Sequence, residues 1–424
     1  MDFSNLDEST SIVDSHSSSF SFLRSLKLSD DVIRRMSLHL FNLSKGSNLV
    51  FLTPIGKDHN IDELVRGLDK IIESNPKVLD RNLMSLESGN RDKFSPRSIA
   101  KPWSLRKDSL LEYFRNDSIS SSSPEIKPYG NNRLRPISLT SGIKLLKNST
   151  NSGLPYYTRK SQIKPRLLTD FYRLLARKDP CILFTRTQEN NKTRNVWGYP
   201  IADTLNEMLF YKPLLDYQKN QIWRSALLGP EAVDSSVTRL LLSGEKLKKS
   251  FLSIDFSAYD AHVNNSIQKS CFDMIKSLFS KECSSDIDYL YDRFNSIPIV
   301  TPGGIIKGRH GVPSGSTFTN EVDSLAQYII CKQFSIEDSD FQIQGDDGAY
   351  VLSSKSIDSL CNGFEAYGFK VNDGKTEISD NHIFYLQKLY DLKRINSRGL
   401  VGGIYSLYRA LNRIIYQERY SNFE

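Results

Sequence analysis

In LSDDVIRRMSLHLFNL the apolar residues recur every three or four positions behind a Ser-Asp start, which predicts a helix beginning near residue 30. The same spacing returns in HGVPSGSTFTNEVDSLAQYIICKQF, where a Gly/Ser loop leads into Val322, Leu325, Ile329 and Ile330. FLSIDFSAYD reads as a strand that ends in acids. IQGDDGAYVL reads as two apolar runs around an acidic tip, a buried hairpin. IDSLCNGFEAYGFKVN predicts a helix and then a strand, and HIFYLQKLYDL predicts two short strands. SLYRALNRIIYQERY predicts a closing amphipathic basic helix with Leu407, Leu411 and Ile415 on one side and Arg409 and Arg413 elsewhere. Residues 1–30 are rich in Ser and acid and read as loosely ordered or wrapped on the surface. Residues 31–115 are mostly helical, 118–132 are loop by composition, and the middle of the chain mixes helix and strand. The class is α/β in the α+β sense, without internal repeats.

Composition changes this picture little. A chain of 424 residues with 39% hydrophobic and 11% aromatic residues can bury a real core in two or three domains or one multi-lobed unit. The net charge of +7 and the pI of about 8.9 suit an acidic partner such as nucleic acid without requiring one. Five cysteines without a CxxC pair argue against a disulfide framework or structural zinc, and for a reducing compartment. The polar, acidic start MDFSNLDEST does not read as a signal peptide. No run of about 18 apolar residues marks a membrane-spanning helix.

The candidate chemistry is carboxylate chemistry. Asp346 and Asp347 lie side by side at the tip of the predicted hairpin, which is either a solvated turn or a cation site. Asp255 follows a strand, and Asp260 comes five residues later. Phosphoryl transfer between two divalent ions about 3.5–4 Å apart needs two or three such carboxylates from adjacent strands; a strand end with solvated acids is the plainer alternative. Ser314 and Gly315 form a flexible turn, and Thr319, Asn320 and Asp323 fall on the first turns of the next helix, where small hydroxyls can sense a ribose or simply cap the helix. Arg186, Lys192 and Arg194 flank a polar turn and could clamp phosphates or form a solvated face. Lys375, and behind it Lys370, could protonate a leaving group or sit on the surface.

The order of these segments resembles the viral RNA-dependent RNA polymerases, in particular those of the partitivirus and picobirnavirus kind, over residues 150–390. TNSGLPYYTRK is similar to the family's template-access motif and the stretch from Arg186 to Arg194 to its nucleotide-tunnel motif. DFSAYD, SGSTFTNEVD, QGDDGAY and GFKVNDGKTE are similar to motifs A to D, and FYLQKLY to the primer-grip hairpin. Reverse transcriptases usually carry an aromatic residue where this chain has Gln344.

The resemblance implies a right hand of fingers, palm and thumb with an antiparallel palm sheet. On that basis residues 1–115 are an N-terminal extension, 116–250 fingers, 251–385 palm with an inserted finger segment at about 265–308, and 386–424 a reduced thumb. It implies an RNA-directed RNA polymerase with two Mg²⁺ ions, replaceable by Mn²⁺, held by Asp255, Asp346 and Asp347. Lys375 would be the general acid. Arg186, Lys192 and Arg194 would line the triphosphate path, Asp260 and Asp323 would approach the ribose, and Ser314, Gly315, Thr319 and Asn320 would form the loop and sugar sensor. Many family members have Asn where Asp323 stands. Nucleoside triphosphates, RNA template and product, and capsid protein are the implied partners of a monomer in the host cytoplasm or inside the virion. A reverse transcriptase, or a catalytically silent RNA-binding or capsid-associated protein on the same fold, are the alternatives. Without metal, the hairpin should be electrostatically strained.

Overall fold

A computed structural model describes residues 20–115, 124 and 133–422. The loop expected at 118–132 lies outside the described residues except for Pro124. Of residues 1–30, 1–19 lie outside the described residues; 20–30 are wrapped on the surface, with Phe20 and Leu23 buried against helix α1 (Asp30–Lys45), which begins behind Ser29 as its sequence predicts. Two further N-terminal helices matter below, α2 (Ile61–Glu73) and α3 (Arg81–Arg91).

The middle of the chain builds a mixed sheet in the order β2-β1-β4-β5, from β1 (Cys181–Thr187), β2 (Thr193–Gly198), β4 (Ile299–Thr301) and β5 (Gly304–Ile306). β1 and β2 form an antiparallel hairpin, and β4 joins β1 in parallel. Between β2 and β4 run α4 (Ile201–Gln218), α5 (Pro230–Leu247), strand β3 (Ser250–Ile254), α6 (Asn265–Leu278) and α7 (Ser284–Ser296).

The second sheet is fully antiparallel. β3 lies between β7 (Asp347–Leu352) and β8 (Glu377–Ser379), and β6 (Phe341–Gln344) is at the far edge. Its strands alternate with period two. Leu252, Ile254, Phe341, Ile343, Tyr350 and Leu352 face one core with α6, helix α8 (Thr319–Gln333) and helix α9 (Ser354–Ala366). Phe251, Ala349 and Val351 face the other core with α5 and the hairpin of β9 (His382–Tyr385) and β10 (Lys388–Asp391). Burial on both faces explains why these strands read as continuous apolar runs. The strand expected after α9 is reduced to one bridge, Phe256 to Val371, because the segment's next residues fold back onto Asp255.

The closing helix α10 (Leu407–Ile415) differs from the expected pattern. Its buried residues are Tyr408, Asn412 and Ile415, with Leu411 half-buried, while Leu407 is 46% exposed. The cause is Glu87 on α3. Its buried carboxylate accepts from Ser406 Oγ (2.8 Å) and from the N–H groups of Leu407 (2.8 Å) and Tyr408 (3.3 Å). This satisfies donors that the helix start leaves open and places an anion at its positive end. With that end fixed, Tyr408 turns inward onto Val65 and Ile72 of α2. Helix α10 therefore packs on the N-terminal helices.

Candidate active site

The two acidic segments meet at one end of the antiparallel sheet. β3 pairs Ile254 with Gly348, so the next residue, Asp255, comes level with Asp347. β6 and β7 pair Gln344 with Asp347, which leaves Gly345 and Asp346 as a two-residue turn. Gly345 has φ +65°, which a glycine adopts at no steric cost, and a Cβ there would lie 3.1 Å from Asn320 Nδ2.

Helix α8 grips this turn at three points. Gly345 N–H donates to Ser324 Oγ (2.8 Å), Gln327 Nε2 donates to the Gly345 carbonyl (2.7 Å), and Gln344 Nε2 donates to Asn320 Oδ1 (2.9 Å). Asn320 Oδ1 also accepts from Arg224 (3.2 Å). Arg224 makes a fully buried ion pair with Glu321 at 2.7 Å. Removing either partner would strand a buried charge, at a cost of roughly 3–5 kcal/mol.

Asp255 is held from below by the 372–376 turn. Asn372 N–H donates to its carbonyl (2.9 Å), and its own N–H donates to Thr376 Oγ1 (3.2 Å). Its carboxylate accepts from Asn372 Nδ2 (3.0 Å) and has Lys375 Nζ at 3.7 Å. Lys370, in contrast, pairs with Glu112 at 3.2 Å.

The carboxylates act on one another. Burial, then the charges of Asp346 and Asp255, push Asp347 up to about 7. Burial and then Asp346 push Asp260 up to about 6, with Arg194 opposing. Asp323 is raised well above the usual carboxylate range by burial, then by Asp260 and Asp346. Burial first, and then their neighbours' charges, disfavour the ionised forms of these acids. No donor reaches Asp323 Oδ1, which is buried without a partner. The hydroxyls of the nearby loop are engaged elsewhere: Thr319 Oγ1 donates to the Pro313 and Ser316 carbonyls, and Ser314 Oγ donates to the Asn195 carbonyl.

Lys192 and Arg194 border this acid cluster, acting on Asp255 and Asp346 and on Asp260 and Asp347. Lys192 has its pKa lowered by burial and then by Arg194 and Lys375. Arg186 stands directly across the β1–β2 hairpin from Arg194 and is half-exposed, paired with Glu418 at 3.3 Å. Gly315 presses on the same hairpin; a Cβ there would meet the Trp197 carbonyl at 1.6 Å.

Several contributors were not legible in sequence. Glu207 on α4 holds the 313–317 loop: its carboxylate accepts from Ser316 Oγ (2.7 Å) and Thr317 N–H (2.6 Å). Tyr113, from the N-terminal region, accepts from Gly311 N–H through its carbonyl (2.8 Å) and sets its ring beside Trp197. Asn372 and Thr376 flank Lys375 inside GFKVNDGKTE, and that motif is the one signal that could have found them.

Carboxylate oxygens that repel one another are the donor set a hard divalent cation takes. Among the described residues no three acidic, His or Cys side chains are yet drawn into a closed ligand set, since Asp255 faces Asn372 and Lys375. Fit therefore rests on the chemistry and crowding of the donors.

Comparison with known proteins agrees with this geometry. The family model for viral RNA-dependent RNA polymerases matches residues 120–398. A potential RNA-dependent RNA polymerase of Human picobirnavirus (strain Human/Thailand/Hy005102/-) is 27% identical over 419 residues, covering 89% of this chain and 76% of its own. An RNA-directed RNA polymerase of Cryptosporidium parvum virus 1 (strain KSU-1) is 27% identical over 237 residues, 52% of this chain and 44% of that relative. Crystal structures of the RNA-dependent RNA polymerase of a human picobirnavirus, with its insertion loop deleted and without that deletion, share the fold. Their TM-scores are 0.80 and 0.79 at 24% identity, covering 91% of this chain and 82% and 79% of theirs.

Glu207 gives this site a pH dependence. Burial pushes its carboxyl from 4.5 up to about 7. An acid whose folded pKa lies above its unfolded value stabilises the fold fully below about 4.5, and that contribution is lost as pH rises through about 7. The thermal midpoint of metal-free protein should thus fall between pH 5.5 and 8, and Glu207→Gln should fall less. An equal fall in parent and variant would show that Glu207 is ionised throughout.

Proposed function

The chain belongs to the viral RNA-dependent RNA polymerases, and from that premise we propose which of its residues carry the reaction. The activity is template-directed nucleotidyl transfer: nucleoside triphosphates are joined to the 3′-hydroxyl of RNA on an RNA template, with release of pyrophosphate, in viral genome replication and transcription. The family uses divalent metal ions. We assign Asp255, Asp346 and Asp347 as the metal-binding carboxylates. The observation that carries the assignment is their convergence from adjacent strands on one sheet end, where burial and then the charges of Asp346 and Asp255 raise Asp347. Two Mg²⁺ ions, or Mn²⁺ in their place, supply there the alignment of the attacking hydroxyl with the leaving phosphate oxygens and the neutralisation of developing charge.

The remaining roles belong to the chain itself. Lys192 and Arg194, with Arg186 across the hairpin, orient the triphosphate, and Arg186 exchanges Glu418 for phosphate when substrate arrives. Lys375, 62% exposed at the rim beside Asp255, delivers a proton to pyrophosphate. Asp260 meets the ribose, with Asp323 behind it. Ser314, Gly315, Thr319 and Asn320 shape the loop that closes over the sugar, and Glu207 sets that loop's position. In this reading the β1–β2 sheet belongs to the fingers, the antiparallel sheet is the palm, and α10 with the N-terminal helices takes the thumb's place. The enzyme works as a monomer in the host cytoplasm or inside the virion beside capsid protein.

Primer extension on an RNA template tests the assignment. Asp346→Ala should abolish nucleotide addition while the protein stays folded; elongation above a few per cent of the parent rate would refute the metal role.

Lys375→Leu should slow single-turnover addition roughly 10²–10⁴-fold and remove one limb of the pH–rate profile. If rate and profile are both unchanged, Lys375 is a surface residue.

Asp260→Ala should erase most discrimination between ribo- and deoxyribonucleotides. A deoxy substrate leaves the parent's acceptor desolvated and unpaired, a penalty of about 1–3 kcal/mol, or roughly 10–100-fold in kcat/KM. Undiminished discrimination by the variant would remove Asp260 from sugar reading.

A further inference from the structure

On the opposite face of the β1–β2 hairpin lies a cavity of about 450 Å³, bordered by Asn42 and Ser47, Lys101 and Arg106, and Thr185. Strand alternation keeps it apart from the triphosphate path. Thr185 pairs with Asn195 on this face, whereas the next pair, Arg186 with Arg194, points to the other. Arg106 is 3% exposed, yet its guanidinium faces no carboxylate among the described residues. Its Nη1 donates to Thr185 Oγ1 (2.7 Å) and at 3.4 Å to Asn195 Oδ1, both neutral, and its Nε is buried without a partner. Other buried guanidiniums of this protein are neutralised: Arg224 by Glu321 at 2.7 Å and Arg293 by Asp203 at 2.7 Å.

A buried cation without a counter-charge is costly, and proteins retain one where a ligand brings the anion. We propose that this cavity is an anion site that takes a phosphate group, with Arg106 as its buried cation and the exposed Lys101 as a second cation at its mouth. Guanidinium geometry suits two phosphate oxygens at once, and the two free nitrogens, Nε and Nη2, lie on one edge of the group. The hydroxyls of Ser47 and Thr185 complete a polar wall. His39 adds no charge, because burial lowers its pKa and its Nε2 is bound to the Leu183 carbonyl at 2.8 Å. Burial alone also pushes Arg106 down to about 10, the direction that an incoming anion reverses. The phosphate can belong to a free nucleotide or to an RNA strand lying on the back of the hairpin.

The test uses the full chain without divalent metal. Inorganic phosphate, compared with chloride at matched ionic strength, should raise the thermal midpoint of the parent and of Arg194→Ala but not of Arg106→Met. Lys101→Glu, an exposed change that spares the core, should weaken the apparent phosphate affinity at least tenfold and keeps the test valid if Arg106→Met fails to fold. Tungstate soaked into crystals of the parent, as a phosphate stand-in, should give anomalous density within hydrogen-bonding distance of Arg106. Titrations of ATP and of a short single-stranded RNA then identify the source: the one whose affinity drops in Lys101→Glu carries the phosphate. Absence of tungstate from the cavity, or an undiminished phosphate effect in both variants, would overturn the site.

Discussion

Repulsion among carboxylates at one end of a four-stranded sheet is the constraint around which the rest is arranged. Asp255, Asp346 and Asp347 are brought together by the backbone, not by any attraction between their side chains. Left alone, such a turn would open. What resists opening is α8, which holds Gly345 by both its N–H and its carbonyl and is itself anchored by a sealed ion pair to Arg224. The apolar core behind it, with Trp223 stacked on Tyr328 at 4.6 Å, keeps that helix from yielding. The electrostatic strain is thus stored where a cation relieves it, and the scaffold carries the load in the meantime.

The same logic explains the loop that faces these acids. Gly315 lies against the Trp197 carbonyl with no room for a side chain, and Ser316 and Thr317 hang from Glu207. The Glu207 contacts to Ser316 and Thr317 make that carboxylate's ionisation bear directly on the loop. The helices on either side are more firmly packed: α8 is buried along most of its length and α4 along half of it.

Much of this was legible in sequence because it is local. Apolar runs on both sides of Gly-Asp-Asp specify a buried hairpin, and helical spacing after SGSTF specifies α8; both are local pattern arguments that need no partner. The grouping of acids, basic hairpin and Lys375 was legible only through the order of motifs. What could not be read depends on long-range pairing. Arg224 and Glu321 are 97 residues apart, and Glu207 and Ser316 are 109 apart. Neither member of either pair carries a local pattern that names the other. The closing helix shows the same limit: its amphipathic stripe was visible, but which residues face inward is decided by Glu87, 319 residues before Ser406.

That last contact has a consequence for how the protein comes into being. The apolar faces of Val65 on α2 and of its neighbour Ile72 are covered by Tyr408, and Thr53 N–H is met by the Ile415 carbonyl at 3.0 Å. On a ribosome these early helices emerge long before the residues that cover them. They must wait, partly exposed, until the residues around 408–415 have followed, a contact of large sequence separation. A chain cut before residue 407 would therefore contain every acid of the candidate active site and still leave the apolar faces of Val65 and Ile72 without their cover.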